Sequence, residues 1–124
     1  MLPRGQRLTR TSDYARVRRA GRSKAHPLLI LAAAPNGGDT TRVGLTVGKK
    51  IGSAVTRNRL KRVLRAAARE RLARLRPGYD VVLIGRPEAA GAGQQLVGAA
   101  LDQLLRRADL LARAPRRDGD GRGI

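Results

Sequence analysis

Residues 48–65 read GKKIGSAVTRNRLKRVLR, a glycine-bounded turn followed by cations at helical spacing. Between Lys49 and Arg76 the chain carries eleven Lys or Arg and one acid, Glu70, a net charge of +10 out of +18 for all 124 residues. An ordinary solvated helix mixes both signs of charge and gains ion pairs four residues apart. A positive field of this size on one element of a small protein predicts a polyanionic partner, and nucleic acid is the simplest candidate.

The pattern after the turn predicts one long helix with two different sides. Ser53 is a good N-cap, and the helix is expected to run to about Arg76, before Pro77-Gly78. At about 100° per residue, one side is apolar and carries Leu60, Val63, Leu64, Ala67 and Ala68. The opposite side carries Asn58, Arg62, Arg65, Arg69 and Arg76. Arg57, Arg71 and Arg74 lie near the apolar side, so they must reach past it to solvent or form ion pairs.

Other segments predict a helix near the N-terminus and a pair of strands. Thr11 or Ser12 is expected to cap a short helix that ends at Ala20. Residues 28–34 and 42–47 have strand patterns, and the turn cluster between them predicts a hairpin. Residues 81–84 predict a buried strand, and residues 92–113 predict a last helix.

This order predicts an α/β (α+β) fold, a two-layer single domain with helices packed on a small sheet. The strand–helix–strand unit over residues 42–85 should place its two strands parallel. The domain is expected to span residues 1–114, and residues 115–124 form a basic tail that is expected to be disordered because it has nothing to bury.

Composition excludes several classes of protein. The chain has no cysteine, so disulfides, thiolate nucleophiles and cysteine-zinc sites are absent. Its N-terminus lacks the apolar run of a signal peptide, and its longest apolar run, residues 28–34, is too short to span a bilayer. A soluble, cytoplasmic protein without a membrane partner is expected.

Catalytic and metal-binding patterns are weak. Residues 44–50 have two glycines and two lysines, but three residues separate the glycines and Lys50 stands where a phosphate-binding loop needs Ser or Thr. The nine acids are scattered, whereas a metal nuclease needs carboxylates that converge on its ions. The lone His26 precedes Pro27 and has no evident partner, so we expect no catalytic residue and no metal ligand in this chain.

Residues 47–65 resemble the signature of the protein subunit of bacterial ribonuclease P. The resemblance rests on Arg57-Asn58-Arg59, followed by Lys61-Arg62 and Arg65 and preceded by Val47-Gly48-Lys49-Lys50-Ile51-Gly52-Ser53-Ala54-Val55. Supporting matches are Asp13-Tyr14 in the first helix and the segments 42–45 and 80–86. Only the tail from Pro115 lies outside the resemblance.

The resemblance implies a four-stranded sheet with one very short strand, three helices in α-β-β-β-α-β-α order and a left-handed β-α-β crossover. It also implies a protein that has no catalytic residues of its own and assists an endonuclease in removing the 5′ leader of precursor tRNA. A catalytic RNA subunit would hold Mg²⁺ and cleave the precursor tRNA. The protein itself would need no second protein as an obligate partner. RNA-subunit binding falls on Lys49, Lys50, Ser53, Arg57, Asn58, Arg59, Lys61, Arg62, Arg65 and Arg69, and leader binding on Tyr14, Arg18, Leu29 and Leu31.

The chain departs from the family pattern where the leader would bind. Arg18 stands one turn after Tyr14, where a second aromatic residue is usual, and residues 28–31 contain no aromatic side chain. Base stacking contributes about 1–3 kcal/mol per base, so leader binding here should depend more on charge. Ser53 replaces a common asparagine, and either residue can cap a helix.

Two other functions fit parts of the sequence. A general basic RNA- or DNA-binding protein, of ribosomal or compacting type, explains the charge but not the ordered Arg57-Asn58-Arg59 helix after a glycine turn. A nuclease that acts without RNA requires the carboxylate cluster that the sequence lacks.

Overall fold

The computed structural model describes residues 4–112, which form three α-helices and four β-strands in the predicted order. They are α1 (Thr11–Ala20), β1 (Arg22–Ala25), β2 (Leu29–Pro35), β3 (Arg42–Thr46), α2 (Ala54–Arg71), β4 (Tyr79–Gly85) and α3 (Gln94–Arg107). None of these helices is long and apolar enough to cross a membrane. The predicted tail, residues 115–124, lies outside the described residues.

The four strands form one mixed sheet in the order β1-β2-β4-β3. β2 is antiparallel to β4, with Leu29 opposite Gly85 and Pro35 opposite Tyr79. β3 and β4 are parallel, with Arg42 opposite Asp80, so the predicted parallel β-α-β unit is confirmed. The left hand of its crossover stays a prediction from the resemblance.

The predicted hairpin between the second and third strands is wrong, because β4 lies between them. Most residues of β4 are buried, and such a strand gains most from a central position in the sheet. The turn residue Asn36 connects to β4 and not only to the next strand: its backbone N–H donates to Gly78 O at 2.8 Å, and its Nδ2 donates to Asp80 Oδ1 at 2.9 Å. The turn after β2 is present as predicted, but it leads into a loop that packs against the start of β4.

Several element boundaries differ from the sequence predictions. Neither Thr11 nor Ser12 caps α1, since Arg10 occupies the N-cap position and makes no side-chain capping bond. The polar strand β1 has no apolar alternation to reveal it, and it forms a hairpin with β2. The long helix α2 ends at Arg71 and continues as a 3₁₀ turn over Leu72–Arg74, while α3 is shorter than predicted at both ends.

Helices cover both faces of the sheet, so α1 adds a thin third layer to the two layers expected. On one side of the sheet, the α2–α3 face, Leu29, Leu31 and Leu83 pack with α2 and α3 in the main core. On the other side, the α1 face, Ala32, Ala34 and Val82 pack with Val17 and Leu8. Alternate residues of a strand point to opposite faces, which explains the two separate sets of core side chains.

The carboxylate of Asp80 is fully buried near the start of β4, on the α1 face. Arg42 donates to it twice, from Nε at 2.8 Å and from Nη2 at 2.7 Å, and Arg16 and Asn36 donate to it as well. Burial alone would raise the pKa of Asp80, but the hydrogen bonds from Arg42 and Asn36 and the charges of Arg42 and Arg16 outweigh burial and hold the pKa below its usual value. Asp80 is therefore ionised in the native protein at neutral pH.

We expect Asp80→Asn to lower the free energy of unfolding by about 3 kcal/mol, because two arginines lose their shared buried anion. This value is at the lower end of the range for a broken buried ion pair, since Arg16 and Arg42 keep 34% and 33% of their side-chain surface exposed. Urea unfolding at neutral pH measures the change. Asp39→Asn is the matched control, because it makes the same charge change at an exposed loop residue.

Acidification should narrow the difference between wild type and Asp80→Asn. A carboxyl group whose folded pKa is depressed stabilises the native state above its unfolded pKa, about 3.9, and loses that contribution as the pH falls through the folded pKa. Unfolding free energies measured from pH 7 down to pH 2 should therefore converge below about pH 4. A difference that stays constant over this range would mean that the Asp80 charge contributes nothing.

Candidate nucleic-acid interface

The turn before α2 places two exposed lysines beside the start of the helix. Gly52 has φ 145° and ψ −154°, a conformation open essentially to glycine alone, and the buried Ile51 anchors the turn to the core. Ser53 caps the helix, since its Oγ accepts the Thr56 N–H at 3.3 Å. The predicted cap is thus confirmed, and Lys49 and Lys50 are exposed next to the free N–H groups of the first turn.

The outer side of α2 carries four of the five polar residues that the sequence placed there. The fifth, Arg76, lies beyond the end of α2 at Arg71 and pairs with Asp109 at 3.0 Å. Leu60, Leu64, Ala67 and Ala68 are buried on the inner side of the helix. Asn58, Arg62 and Arg69 are exposed on the outer side, and Arg65 is half-buried beside them. We call these four residues the basic row. Arg62, Arg65 and Arg69 also line a shallow groove of about 590 Å³ on the surface of α2.

Other arginines of α2 are engaged within the protein. Arg71 donates to Asp102 of α3 from Nε at 2.7 Å and from Nη2 at 3.1 Å, which raises the pKa of Arg71 and lowers that of Asp102, as the hydrogen-bonded ion pair requires. Arg59 donates to the carbonyls of Ala90 and Ala92 at 3.3 and 3.4 Å, so it ties α2 to the loop before α3.

The remaining cations of α2 have no acidic partner in the part of the chain that the structure describes. Within residues 4–112, no salt bridge reaches Arg57, Lys61, Arg62, Arg65 or Arg69. The Nε of Arg57 is buried and has no hydrogen-bond acceptor in this part of the chain. These groups can therefore hold phosphates without giving up an internal ion pair.

Tyr14 is held tightly in place by the edge strand β3. Its hydroxyl donates to Leu8 O at 3.3 Å and accepts the Leu45 N–H at 3.2 Å. Its ring lies on Gly44, where an added Cβ would come within 2.5 Å of the Tyr14 Cζ. Only glycine therefore leaves room for the ring. Tyr14 also shares a cavity of about 170 Å³ with Lys61 and Arg65 of α2.

The predicted leader contacts of Leu29 and Leu31 are wrong. Both side chains are fully buried on the α2–α3 face, where they have no surface to offer a ligand. The strand register places Thr46, Ile84 and Ile30 side by side on the α1 face, and each is partly exposed. We call these three residues the open row. Alternation along β2 separates Ile30 from Leu29 and Leu31, but the sequence does not show which of the two faces is buried under α2 and α3.

The two residues of α1 predicted to contact the leader lie on the side of that helix toward the open row. Gly44, which holds the Tyr14 ring, is followed two residues later by Thr46 on the same face of β3. Arg18 is one turn after Tyr14 and is exposed. Tyr14 therefore lies close to the open row, and Arg18 follows it one turn later on the same side of α1.

Catalytic chemistry finds little support among the described residues. Within residues 4–112, no three His, Asp or Glu side chains converge to hold a metal ion. His26 accepts the Leu28 N–H on its Nδ1 at 3.0 Å, a local bond that shapes the turn before β2. What the geometry offers is a row of cations on α2, of which Arg65 shares a cavity with Tyr14 at the edge strand β3.

Comparisons with known proteins identify the family. The family model for ribonuclease P matches residues 2–109. The chain is 41% identical over 109 residues to the ribonuclease P protein component of Herpetosiphon aurantiacus, covering 88% of this chain and 89% of that protein. It is 37% identical over 113 residues to that of Dehalococcoides mccartyi, with coverages of 91% and 92%.

Solved structures agree. The RNase P protein of Staphylococcus aureus superposes with a TM-score of 0.77 at 26% identity, covering 85% of this chain and 96% of that one. The RNase P protein of Thermotoga maritima superposes with a TM-score of 0.75 at 30% identity, with coverages of 82% and 98%. With its basic helix and mixed sheet, the chain belongs to the ribonuclease P protein family, the protein component of a tRNA-processing endoribonuclease in which RNA performs the cleavage.

Proposed function

We propose that this protein binds the catalytic RNA subunit of ribonuclease P through the basic row of α2, together with Lys49, Lys50, Ser53, Arg57 and Lys61. The single observation that carries the proposal is the unpaired charge of α2, since six of its cations form no salt bridge within residues 4–112. Arginine favours this use, because a planar guanidinium can bind a phosphate with two hydrogen bonds. Arg59 contributes mainly by positioning, since it holds the loop at Ala90–Ala92.

Mg²⁺ belongs to the RNA in this proposal. The acids of residues 4–112 form no cluster that could hold the ion, and five of them are already in ion pairs with arginines. The protein supplies binding and orientation, while the RNA supplies the metal and the reaction. The catalytic RNA and its substrate, precursor tRNA, are both expected in the cytoplasm.

The 5′ leader of precursor tRNA would lie along the open row, between α1 and the strand ends. Ile30 and Ile84 offer an apolar floor, Tyr14 offers the edge of a ring, and Arg18 offers a charge. Because Tyr14 shares its cavity with Lys61 and Arg65, a leader on the open row and an RNA on α2 would meet at the β3 edge. The cations between them reduce the repulsion between the two polyanions, which is how the protein would favour substrate binding.

We expect the purified chain to stimulate cleavage of precursor tRNA by a bacterial ribonuclease P RNA at low Mg²⁺. Arg62→Ala and Arg65→Ala should each weaken binding to that RNA by about 1–3 kcal/mol, because each removes a charge-assisted contact. Titrating the protein into a fixed amount of catalytic RNA, with cleavage as the readout, measures both quantities.

Arg106→Ala is the matched control, because it removes one exposed arginine that belongs to α3 and not to the basic row. Equal losses at Arg62, Arg65 and Arg106 would indicate diffuse electrostatic binding, as for a general nucleic-acid compactor. The same conclusion would follow if plasmid DNA competed with the catalytic RNA on equal terms. Absence of any stimulation would contradict the assignment of function.

Leader binding should depend strongly on salt, and Arg18→Phe should weaken that dependence. Each leader phosphate bound by a cation contributes a slope of about −0.7 to the plot of log affinity against log salt, whereas aromatic stacking responds less to salt. The measurement is the affinity of the holoenzyme for precursor tRNA with and without its leader across a salt series. The leader's contribution should fall less steeply for the variant and persist at high salt.

Arg19→Phe is the control for this experiment. Arg19 is two residues after the buried Val17, which places it on the side of α1 that faces solvent. If Arg19→Phe flattened the salt dependence as much as Arg18→Phe does, the open row would not be the binding site of the leader.

A further inference from the structure

A cavity of about 390 Å³ opens at the β1 edge of the sheet, away from both surfaces described above. We call it the β1-edge cavity. Its walls come from the junction of α1 and β1, from β2 and β4, and from the end of α3. Lys24 pairs with the buried Leu31, and Ala33 with Val81, so these lining residues belong to the α2–α3 face. The cavity is therefore on the opposite side of the sheet from the open row.

The lining of this cavity is partly apolar and includes one of the chain's two tyrosines. Ala33, Pro35 and Leu110 line it, together with Tyr79, which is half-buried against the core. The volume lies within the range of about 300–1,000 Å³ that is common for small-molecule sites. An aromatic wall in an apolar recess is suited to the flat face of a nucleobase.

Three cations surround the same cavity: Arg22, Lys24 and Arg107. Arg107 is held in place, because its Nη1 donates to Ala25 O at 2.8 Å. Within residues 4–112, Arg22 and Lys24 form no salt bridge, and the one acid in the lining, Asp109, is paired with Arg76 at 3.0 Å. The cavity thus combines apolar side chains with cations that no salt bridge within residues 4–112 neutralises.

The backbone at this site is closely packed. A Cβ at Gly21 would come within 2.4 Å of Val17 O and 2.5 Å of Ala33 O, so only glycine allows α1 to turn directly into β1. This junction keeps Arg22 and Lys24 beside the recess. The arrangement therefore belongs to the folded domain and does not depend on a loose loop.

We propose that the β1-edge cavity binds a single unpaired RNA nucleotide, with its base against Tyr79 and its phosphate held by Arg22 and Lys24. The proposal rests on the proposed function, in that the protein works bound to RNA. The cavity is on the face opposite the open row and at the β1 edge, the other end of the sheet from β3, so the nucleotide belongs to neither the leader on the open row nor the RNA on the basic row. It is a third point of contact with the RNA.

The test is a titration of the full-length free protein with adenosine and uridine 5′-monophosphates, followed by two-dimensional NMR. Backbone amide signals of Lys24, Ala33, Tyr79 and Ala108 should shift, and inorganic phosphate should shift the signals near the cations but not those of Ala33 and Tyr79. Equal shifts with inorganic phosphate would overturn the proposal, since the site would then be only an anion site. Displacement of the nucleotide by a glutamate-rich peptide at equal concentration would overturn it too.

Variants separate this site from the rest of the interface. Arg22→Gln with Lys24→Gln should weaken mononucleotide binding about tenfold, because two charge-assisted contacts are lost, whereas Arg19→Gln should leave it unchanged. Tyr79→Phe keeps the ring and should retain binding, and Tyr79→Leu should lose it. Thermal unfolding of each variant checks that the domain is folded.

The same double variant should weaken binding to the catalytic RNA, or to precursor tRNA in the holoenzyme, by at least threefold relative to Arg19→Gln. If the double variant leaves RNA binding unchanged while Arg62→Ala still weakens it, this inference fails and the proposed function stands. If Arg62→Ala also leaves RNA binding unchanged, the proposed function itself fails.

Discussion

The buried carboxylate of Asp80 joins parts of the chain that are far apart in sequence. Arg16 reaches it from α1, Arg42 from β3, and Asn36 from the turn after β2. A buried anion is costly unless it is paired and hydrogen-bonded, so each of these elements must take its native position for the site to be satisfied. This single constraint fixes α1 on its face of the sheet and holds β3 beside β4.

The placement of α1 in turn shapes the surfaces. Because α1 is held at the Asp80 end of the sheet, the strand row at Thr46, Ile84 and Ile30 keeps part of its surface exposed. Tyr14 and Gly44 fill the contact between α1 and β3, and the Tyr14 hydroxyl also holds the N-terminal segment at Leu8. The half-covered α1 face is thus a consequence of where the Asp80 ion pairs, the Tyr14 contacts and the buried Val17 hold α1.

The acids of the protein are placed so that the outer side of α2 stays positive. Asp13 and Asp80 pair with Arg16 and Arg42, and Asp102 pairs with Arg71 on the inner side of α2. Carboxylates therefore pair with the arginines that the fold buries in part, and within residues 4–112 none forms a salt bridge with the basic row, since Glu70, which lines the same groove, pairs with Arg71. A protein with the same composition but mixed charges along α2 would be more stable alone and a weaker ligand for RNA.

The sequence by itself determined the features that depend on near neighbours: the Ser53 cap, the two sides of α2, the buried strand that became β4, and the family. Only the tertiary structure decided which strands are adjacent, which arginines are engaged, and which side of β2 is exposed. A hairpin signal is local, whereas β4 displaces β3 from β2 through its burial on both faces. The sequence could not show whether Leu29 and Leu31 or Ile30 is exposed to a ligand. Apolar residues at alternate positions of a strand point to opposite faces, and the role of each face is decided only when α2 and α3 cover one face fully and α1 covers the other in part.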